Sequence, residues 1–169
     1  EQAIKLLPRG ARFCDIGTGS GAIAVSILHA RPDTSAVAVD INENALAAAL
    51  QNARANGVAD RFIPRLDDAL SPSFLSGERF DAIISNPPYI ASAEVDALAP
   101  ELAFEPRRAL DGGEDGYDFY HALTRRAADL LGDGGFVLYE VGAGMAQSVR
   151  ELGRALGYSL NGVRQSTLT

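Results

Sequence analysis

The stretch CDIGTGSG at residues 14–21 constrains the fold more than any other part of the chain. It continues an apolar run, RFCDI at 12–16, and leads into the nearly all-apolar GAIAVSILHA at 21–30. Three alternate glycines, Gly17, Gly19 and Gly21, therefore stand between a strand-like and a helix-like segment. Lacking Cβ atoms, they let the backbone turn tightly and let a ligand approach the main chain, while the next helix N-terminus offers unpaired N–H groups. A strand, a tight turn and a helix returning over the strand are the first half of a βαβ unit, which requires a parallel sheet.

The remaining sequence keeps that alternation. SAVAVD at 35–40 predicts a second strand, and Asn42 caps an alanine-rich helix over 43–56 that Gly57 ends. RFIPRL at 61–66 predicts a third strand in an outer position, because Pro64 removes a ladder donor. FDAIIS at 80–85 is the fourth strand, 118–131 an amphipathic helix closed by GDGG at 132–135, and FVLYEV at 136–141 the fifth strand. A last helix spans about 146–156, and YSLNGVR at 158–164 reads as a strand whose natural partner is missing. The expected fold class is α/β: a Rossmann-like, doubly wound, mostly parallel sheet with helices on both faces and its last strand missing. The 169 residues, 47% of them hydrophobic, suffice for one domain with one good core. The abrupt start, EQAIK, looks like the middle of a helix.

Charge and cysteine content narrow the function. With 15 basic and 22 acidic side chains the net charge is -7, the wrong sign for a surface that must neutralise many phosphates, so no direct nucleic-acid binding is expected. The single cysteine, Cys14, lies in an apolar run as a buried thiol, which fits a reducing, cytoplasmic setting. No apolar stretch approaches the ~20 residues that span a bilayer, so no membrane partner is expected. His29 and His121 lie far apart on helices without nearby acid clusters, and no metal is expected.

The glycine turn marks a nucleotide-type cofactor, with Gly17, Thr18, Gly19, Ser20 and Gly21 as its cradle. Asp40 ends the second strand where an acid takes both ribose hydroxyls. GTGSGA at 17–22 also satisfies the pattern of dinucleotide enzymes, so the turn alone leaves the choice open. Asp15 favours a cationic ligand, S-adenosylmethionine, whose ammonium group NAD lacks; a strand-end aspartate making turn hydrogen bonds is the other reading. After the third strand Asp68 can accept from an adenine amino group and the Ala69 N–H can meet the ring edge, although acids in a turn are also often simply solvated.

The fourth strand ends in SNPPYI, residues 85–90. An amide or aromatic amine nitrogen is a poor nucleophile because its lone pair is delocalised. The Asn86 side-chain oxygen and the Pro87 carbonyl can each accept one N–H of a planar NH₂ group, aiming the lone pair and stabilising the charge that develops on nitrogen. Pro88 stiffens the pair, and Tyr89 can pack on the flat face of the acceptor. The plainer reading is a rigid loop start with an aromatic plug. From Asn86 to about Gly116 the chain reads as a long polar loop, a length usually associated with function or disorder. Glu105 and Asp111 brace that loop or form ordinary solvated ion pairs, and Tyr117, Tyr120 and Tyr139 read as core or helix-packing aromatics.

On DIGTGSGAIA (15–24), AVD (38–40), ISNPPYI (84–90) and FEPRRALDGGEDG (104–116), the chain resembles S-adenosylmethionine-dependent methyltransferases, and more narrowly the release factor glutamine methyltransferases. Asn-Pro-Pro-Tyr alone is shared with adenine-amino DNA and some RNA methyltransferases; the segment from Phe104 narrows the choice. The resemblance implies a class I methyltransferase fold, methyl transfer from S-adenosylmethionine with S-adenosylhomocysteine as product, and an acceptor glutamine in the Gly-Gly-Gln loop of class I peptide chain release factors. Carried over to this sequence, it implies cofactor contacts at Gly17 to Gly21, Asp40 and the Ala69 position and acceptor contacts at Asn86, Pro87, Pro88 and Tyr89. Together with the residue-level readings, the expected cofactor site adds Asp15, Asp68 and Asn86, and the expected catalytic residues are Asn86, Pro87 and Tyr89. Departures are the small Ala69, the stretch GAGMA at 142–146 where a glutamine-containing one is expected, and the family's N-terminal helical domain, expected to be absent from residues 1–169. Amino methylation of adenine or guanine, a cofactor-binding domain without activity, and a nicotinamide oxidoreductase are the competing functions.

Overall fold

The computed structural model describes residues 1–97 and 106–159. Its elements run α1 (Gln2–Leu6), β1 (Arg12–Ile16), α2 (Ala22–Ala30), β2 (Ser35–Asp40), α3 (Glu43–Ala55), β3 (Phe62–Leu66), β4 (Phe80–Ser85), α4 (Ser92–Val95), α5 (Arg107–Leu110), α6 (Asp118–Leu130), β5 (Leu131–Tyr139) and α7 (Ala146–Ala155). The strands form one sheet in the order β3-β2-β1-β4-β5, and all four pairings are parallel. The chain thus starts in the middle of the sheet, winds outward through β2 and β3, and crosses back to β4. That reversal places the C-terminal ends of β1 and β4 side by side, where doubly wound sheets open a crevice.

Residue alternation divides each central strand between two cores. Phe13, Ala36, Ala38, Ala82 and Ile84 face α2 and α3, where Leu28, Ala49 and Ala53 cover them. Cys14, Val37, Val39 and Ile83 face the other way, against Phe74 and against Leu123, Ala127 and Leu130 of α6. Phe13 and Leu28 are wholly buried, each burial contributing on the order of 1.5–3 kcal/mol. β3 buries only Phe62, as suits an edge strand carrying Pro64.

Three segments differ from the sequence expectation. Helix α6 ends at Leu130 and β5 begins at once, with Leu131 opposite Phe80 and Phe136 opposite Ala82. The GDGG segment is therefore a bulge inside β5, not a linker before it; Gly134, at φ 74, makes the excursion possible. The segment after Asn86 is not structureless: it holds the short α4 and α5 and a parallel bridge between Ile90 and Asp111. Of the strand expected over 158–164, Tyr158 and Ser159 are described and lie outside any strand, while 160–164 fall outside the described residues, as does Glu105. Tyr158 instead packs on the α6 side and donates its hydroxyl to the Thr124 carbonyl at 3.0 Å. Among the described residues no helix is long and apolar enough to cross a membrane.

Candidate active site

The glycine turn is tied to the end of β2. Gly17 and Thr18 both donate their N–H to the Val39 carbonyl at 2.9 Å, and Gly19 N–H donates to one Asp40 oxygen at 2.9 Å while Asn42 N–H takes the other. Gly17, Gly19 and Gly21 stand at φ 70, 55 and 80, the left-handed region that disfavours side chains. Gly21 has a second reason to be glycine: a Cβ there would lie 3.0 Å from the Ala49 Cβ of α3. The three turn glycines thus bring α2, α3 and the β2 end close together. Ser20 is exposed, and its carbonyl is held by the Asn52 side chain at 2.8 Å.

Asp15 lies fully buried beneath this turn. One oxygen accepts from the Thr18 hydroxyl at 2.7 Å and the Ala24 N–H at 3.1 Å; the other is buried without a partner among the described residues. Burial raises its pKa to about 6, the Thr18 and Ala24 bonds offsetting part of the effect. Thr18 is itself buried, so it supports Asp15 from within.

Ile16 of β1 and Ser85 of β4 are in register, and the Ser85 hydroxyl donates to the Ile16 carbonyl at 2.7 Å. This pairing delivers Asn86 to the glycine turn, with the Asn86 carbonyl 4.0 Å from where a Gly17 Cβ would stand. The Asn86 side chain is exposed, with no hydrogen-bond partner among the described residues. Pro87 is buried, and Pro88 and Tyr89 are half-buried. A segment from Leu110 to Gly116 lies flush against the tip: a Cβ at Gly112 would come within 2.8 Å of the Pro88 carbonyl oxygen. From the far side Gly142 meets the Tyr89 ring, where a Cβ would fall 2.8 Å from Tyr89 Cδ2. Beside the ring opens a cavity of about 290 Å³ whose lining includes Glu94, Asp115, Tyr117 and Met145.

The sequence pattern of the methyltransferase small domain matches residues 3–114. The chain belongs to that family. Among curated relatives, the release factor glutamine methyltransferase of Moorella thermoacetica is 46% identical over 145 residues, covering 86% of this chain and 50% of that protein. That of Cereibacter sphaeroides is 47% identical over 150 residues, covering 87% and 52%. The chain spans about half the length of the curated relatives it matches. Among solved structures, a methyltransferase from Pyrococcus furiosus superposes with TM-score 0.70 over 99% of this chain and 74% of its own, at 22% identity, and shares the fold.

In this methyltransferase domain the two halves named from sequence meet at one crevice. Asp68 is exposed and closes a turn on the Leu70 N–H at 2.9 Å, while Ala69 is half-buried against the α6-side core. That loop is joined to the site by the Asp67 N–H, which donates to the Asp40 carbonyl at 3.2 Å. Sequence reasoning named Leu70, which is exposed, as a neighbour that could make up for the small Ala69, but it missed Ile41, 50% exposed directly after Asp40, and the exposed Leu66. The signal was an apolar side chain at the last position of a strand, Leu66, or just past it, Ile41, where solvent-facing residues are the norm. Tyr120 and Tyr139 are core aromatics, edge to face at 5.5 Å, and the Tyr120 hydroxyl donates to the Glu140 carbonyl at 2.9 Å. Tyr117, by contrast, lines the cavity beside Tyr89. His29 and His121 are exposed, and no His, Cys, Asp or Glu cluster suited to a metal occurs among the described residues.

Proposed function

We propose that this domain transfers a methyl group from S-adenosylmethionine to the side-chain amide nitrogen of a glutamine, the one in the Gly-Gly-Gln motif of class I peptide chain release factors, in the cytoplasm. One observation carries the reading: the exposed Asn86 of a stiff Asn-Pro-Pro-Tyr tip, its backbone beside the Gly17 turn. The names of the relatives support the choice of glutamine, and the net charge of -7 disfavours a nucleic-acid acceptor.

The residues present fit the cofactor. Asp15 keeps a buried oxygen below the glycine turn without a partner among the described residues, a suitable complement to an ammonium group. Each Asp40 oxygen accepts one backbone bond and retains a lone pair for a ribose hydroxyl. Ile41 offers an apolar surface to adenine, with Asp68 and the Ala69 N–H at its edge. When bound, the cofactor supplies an electrophilic methyl group on sulfur and leaves as the neutral thioether S-adenosylhomocysteine.

Asn86 Oδ1 and the Pro87 carbonyl each accept one N–H of the acceptor amide, turning its lone pair toward the methyl carbon. As the N–C bond forms and the C–S bond breaks, these two oxygens stabilise the positive charge on nitrogen. The methylated nitrogen is then acidic and gives one proton to water, so no strong base is needed. Tyr89 and the buried Pro87 keep the slot narrow and poor in water, and placement supplies most of the rate.

Incubating the full-length protein with methyl-labelled cofactor and a release factor tests this. Label on the Gly-Gly-Gln glutamine is the expected result, and its absence sinks the reading. Label on DNA or RNA instead supports amino methylation of adenine or guanine.

A further inference from the structure

We propose that Asp111 is a positioning residue of the acceptor slot: its carboxylate clamps the chain just beyond Tyr89 and so sets where the Asn-Pro-Pro-Tyr tip stands. The inference rests on the acceptor reading above and extends it to a residue outside the tip.

Asp111 gathers donors from both sides of the clamp. Its Oδ1 accepts the Ser92 hydroxyl at 2.6 Å and the Gly113 N–H at 3.1 Å. Its Oδ2 accepts Arg107 Nε at 3.2 Å, and the same guanidinium donates to the Ser92 carbonyl at 3.0 Å and pairs with Asp96. The bond from Ser92, then that from Gly113, holds the Asp111 carboxyl below its ordinary pKa, so the clamp is charged near neutral pH. Asp111 is half-buried, unlike an acid on a solvated loop.

The backbone follows the same line. Ile90 N–H donates to the Leu110 carbonyl at 3.0 Å, Gly112 N–H to the Ile90 carbonyl at 2.8 Å, and Ser92 N–H to the Gly113 carbonyl at 2.8 Å. Each bond joins residues next to the tip to residues next to Asp111. Gly112 and Gly116 then let the clamp touch the tip directly: Cβ atoms there would come within 2.8 Å of Tyr89 Cα and 2.5 Å of the Tyr89 carbonyl oxygen. None of the groups bonded to Asp111 belongs to the Gly17–Gly21 turn or to Asp40. Loosening the clamp therefore moves the acceptor oxygens and leaves the cofactor cradle in place. Misplacement by about 1 Å is enough to slow a reaction that depends on alignment.

The test compares Asp111→Ala, Asp111→Asn and Ser92→Ala in the full-length protein. Acceptor kcat and KM, cofactor Kd and amide hydrogen exchange at Ile90 and Ser92 are measured together. Asp111→Ala is expected to lower kcat roughly tenfold with cofactor Kd within about twofold. Asp111→Asn keeps an oxygen for Ser92 and Gly113 and recovers most of the loss; Ser92→Ala costs about threefold. Exchange at Ile90 and Ser92 quickens, while β1 and α2 are unchanged. Equal losses in kcat and cofactor affinity, or unchanged kcat with unchanged exchange, overturn the proposal. If Asp111→Ala fails to fold, Asp111→Asn and Ser92→Ala decide the same question. If the unaltered protein methylates no release factor, the acceptor reading fails, and exchange at Ile90 and Ser92 still decides whether Asp111 holds the tip.

Discussion

The two sides of the crevice are assembled differently. On the side proposed to hold the cofactor, Asp15 within β1, the glycine turn and Asp40 at the end of β2 are joined by bonds such as Thr18 hydroxyl to Asp15, Gly17 N–H and Thr18 N–H to Val39 and Gly19 N–H to Asp40. The partners come from the β1 and β2 ends, the turn between β1 and α2, and the helices α2 and α3 that follow these strands, so the two neighbouring βα units set the geometry. On the side proposed for the acceptor, Asn86 directly follows β4, but the residues after it are held by Asp111, Gly112, Gly116 and Gly142, which lie further along the chain, with the nearby Ser92 bonded to Asp111. A change on the first side therefore acts through ligand charge and main-chain strain. A change on the second is expected to act through alignment, with binding of the cofactor preserved.

Asn86→Ala sharpens that contrast most. Turnover is expected to fall ~10²-fold or more, the scale for losing one charge-stabilising partner, while titration gives a cofactor affinity within about tenfold of the original. Equal losses would make Asn86 a structural residue and merge the two sides.

Asp15→Asn probes the first side and comes next. Burial raises the Asp15 pKa to about 6 from 3.8. A raised carboxyl contributes stability that is fully present below the unfolded-state value and is lost as pH rises through about 6. Thermal unfolding of the cofactor-free protein should lose on the order of 3 kcal/mol from this source between about pH 4 and pH 6, and the variant should lack that slope. Its cofactor affinity is expected to drop about tenfold, since Asn lacks the charge proposed to face an ammonium group. A variant that binds cofactor normally would reduce Asp15 to a brace for Thr18.

Gly21→Ala, also on the first side, meets both a positive φ and the α3 backbone. A loss of roughly 1–3 kcal/mol in unfolding free energy is expected, with weakened cofactor binding. Gly142→Ala is its counterpart on the second side and the mildest of the four. Its φ is ordinary, so only the contact with Tyr89 and Met145 is strained, and both are side chains that can shift. Acceptor KM should rise several-fold, about 1 kcal/mol in binding, with cofactor affinity and melting temperature nearly unchanged. A loss of cofactor affinity here would break the separation of the two sides.

Most of the fold was legible in the residues because each signal was local. The limits of β1, β2 and β4, the Asn42 cap and the edge position of the Pro64 strand all follow from burial period and backbone chemistry within a few positions. The GDGG segment was misplaced for the same reason: glycines read as a linker, whereas pairing of Leu131 with Phe80 turned them into a bulge. That pairing depends on the distant β4 and has no signature in the glycines themselves.

The sequence by itself determined which groups are at hand: three glycines at a tight turn, an acid inside β1, an acid at the end of β2, and an Asn-Pro-Pro-Tyr tip whose Asn86 and Pro87 oxygens are proposed to receive the acceptor. Only the tertiary structure decided that the second Asp15 oxygen has no partner among the described residues, that Ile41 stands exposed beside Asp40, and that Asp111 reaches back to Ser92. The physical reason lies in range. Backbone conformation and hydrogen-bonding capacity belong to single residues, whereas burial, orphaned lone pairs and close approach exist only between segments that the order β3-β2-β1-β4-β5 brings together.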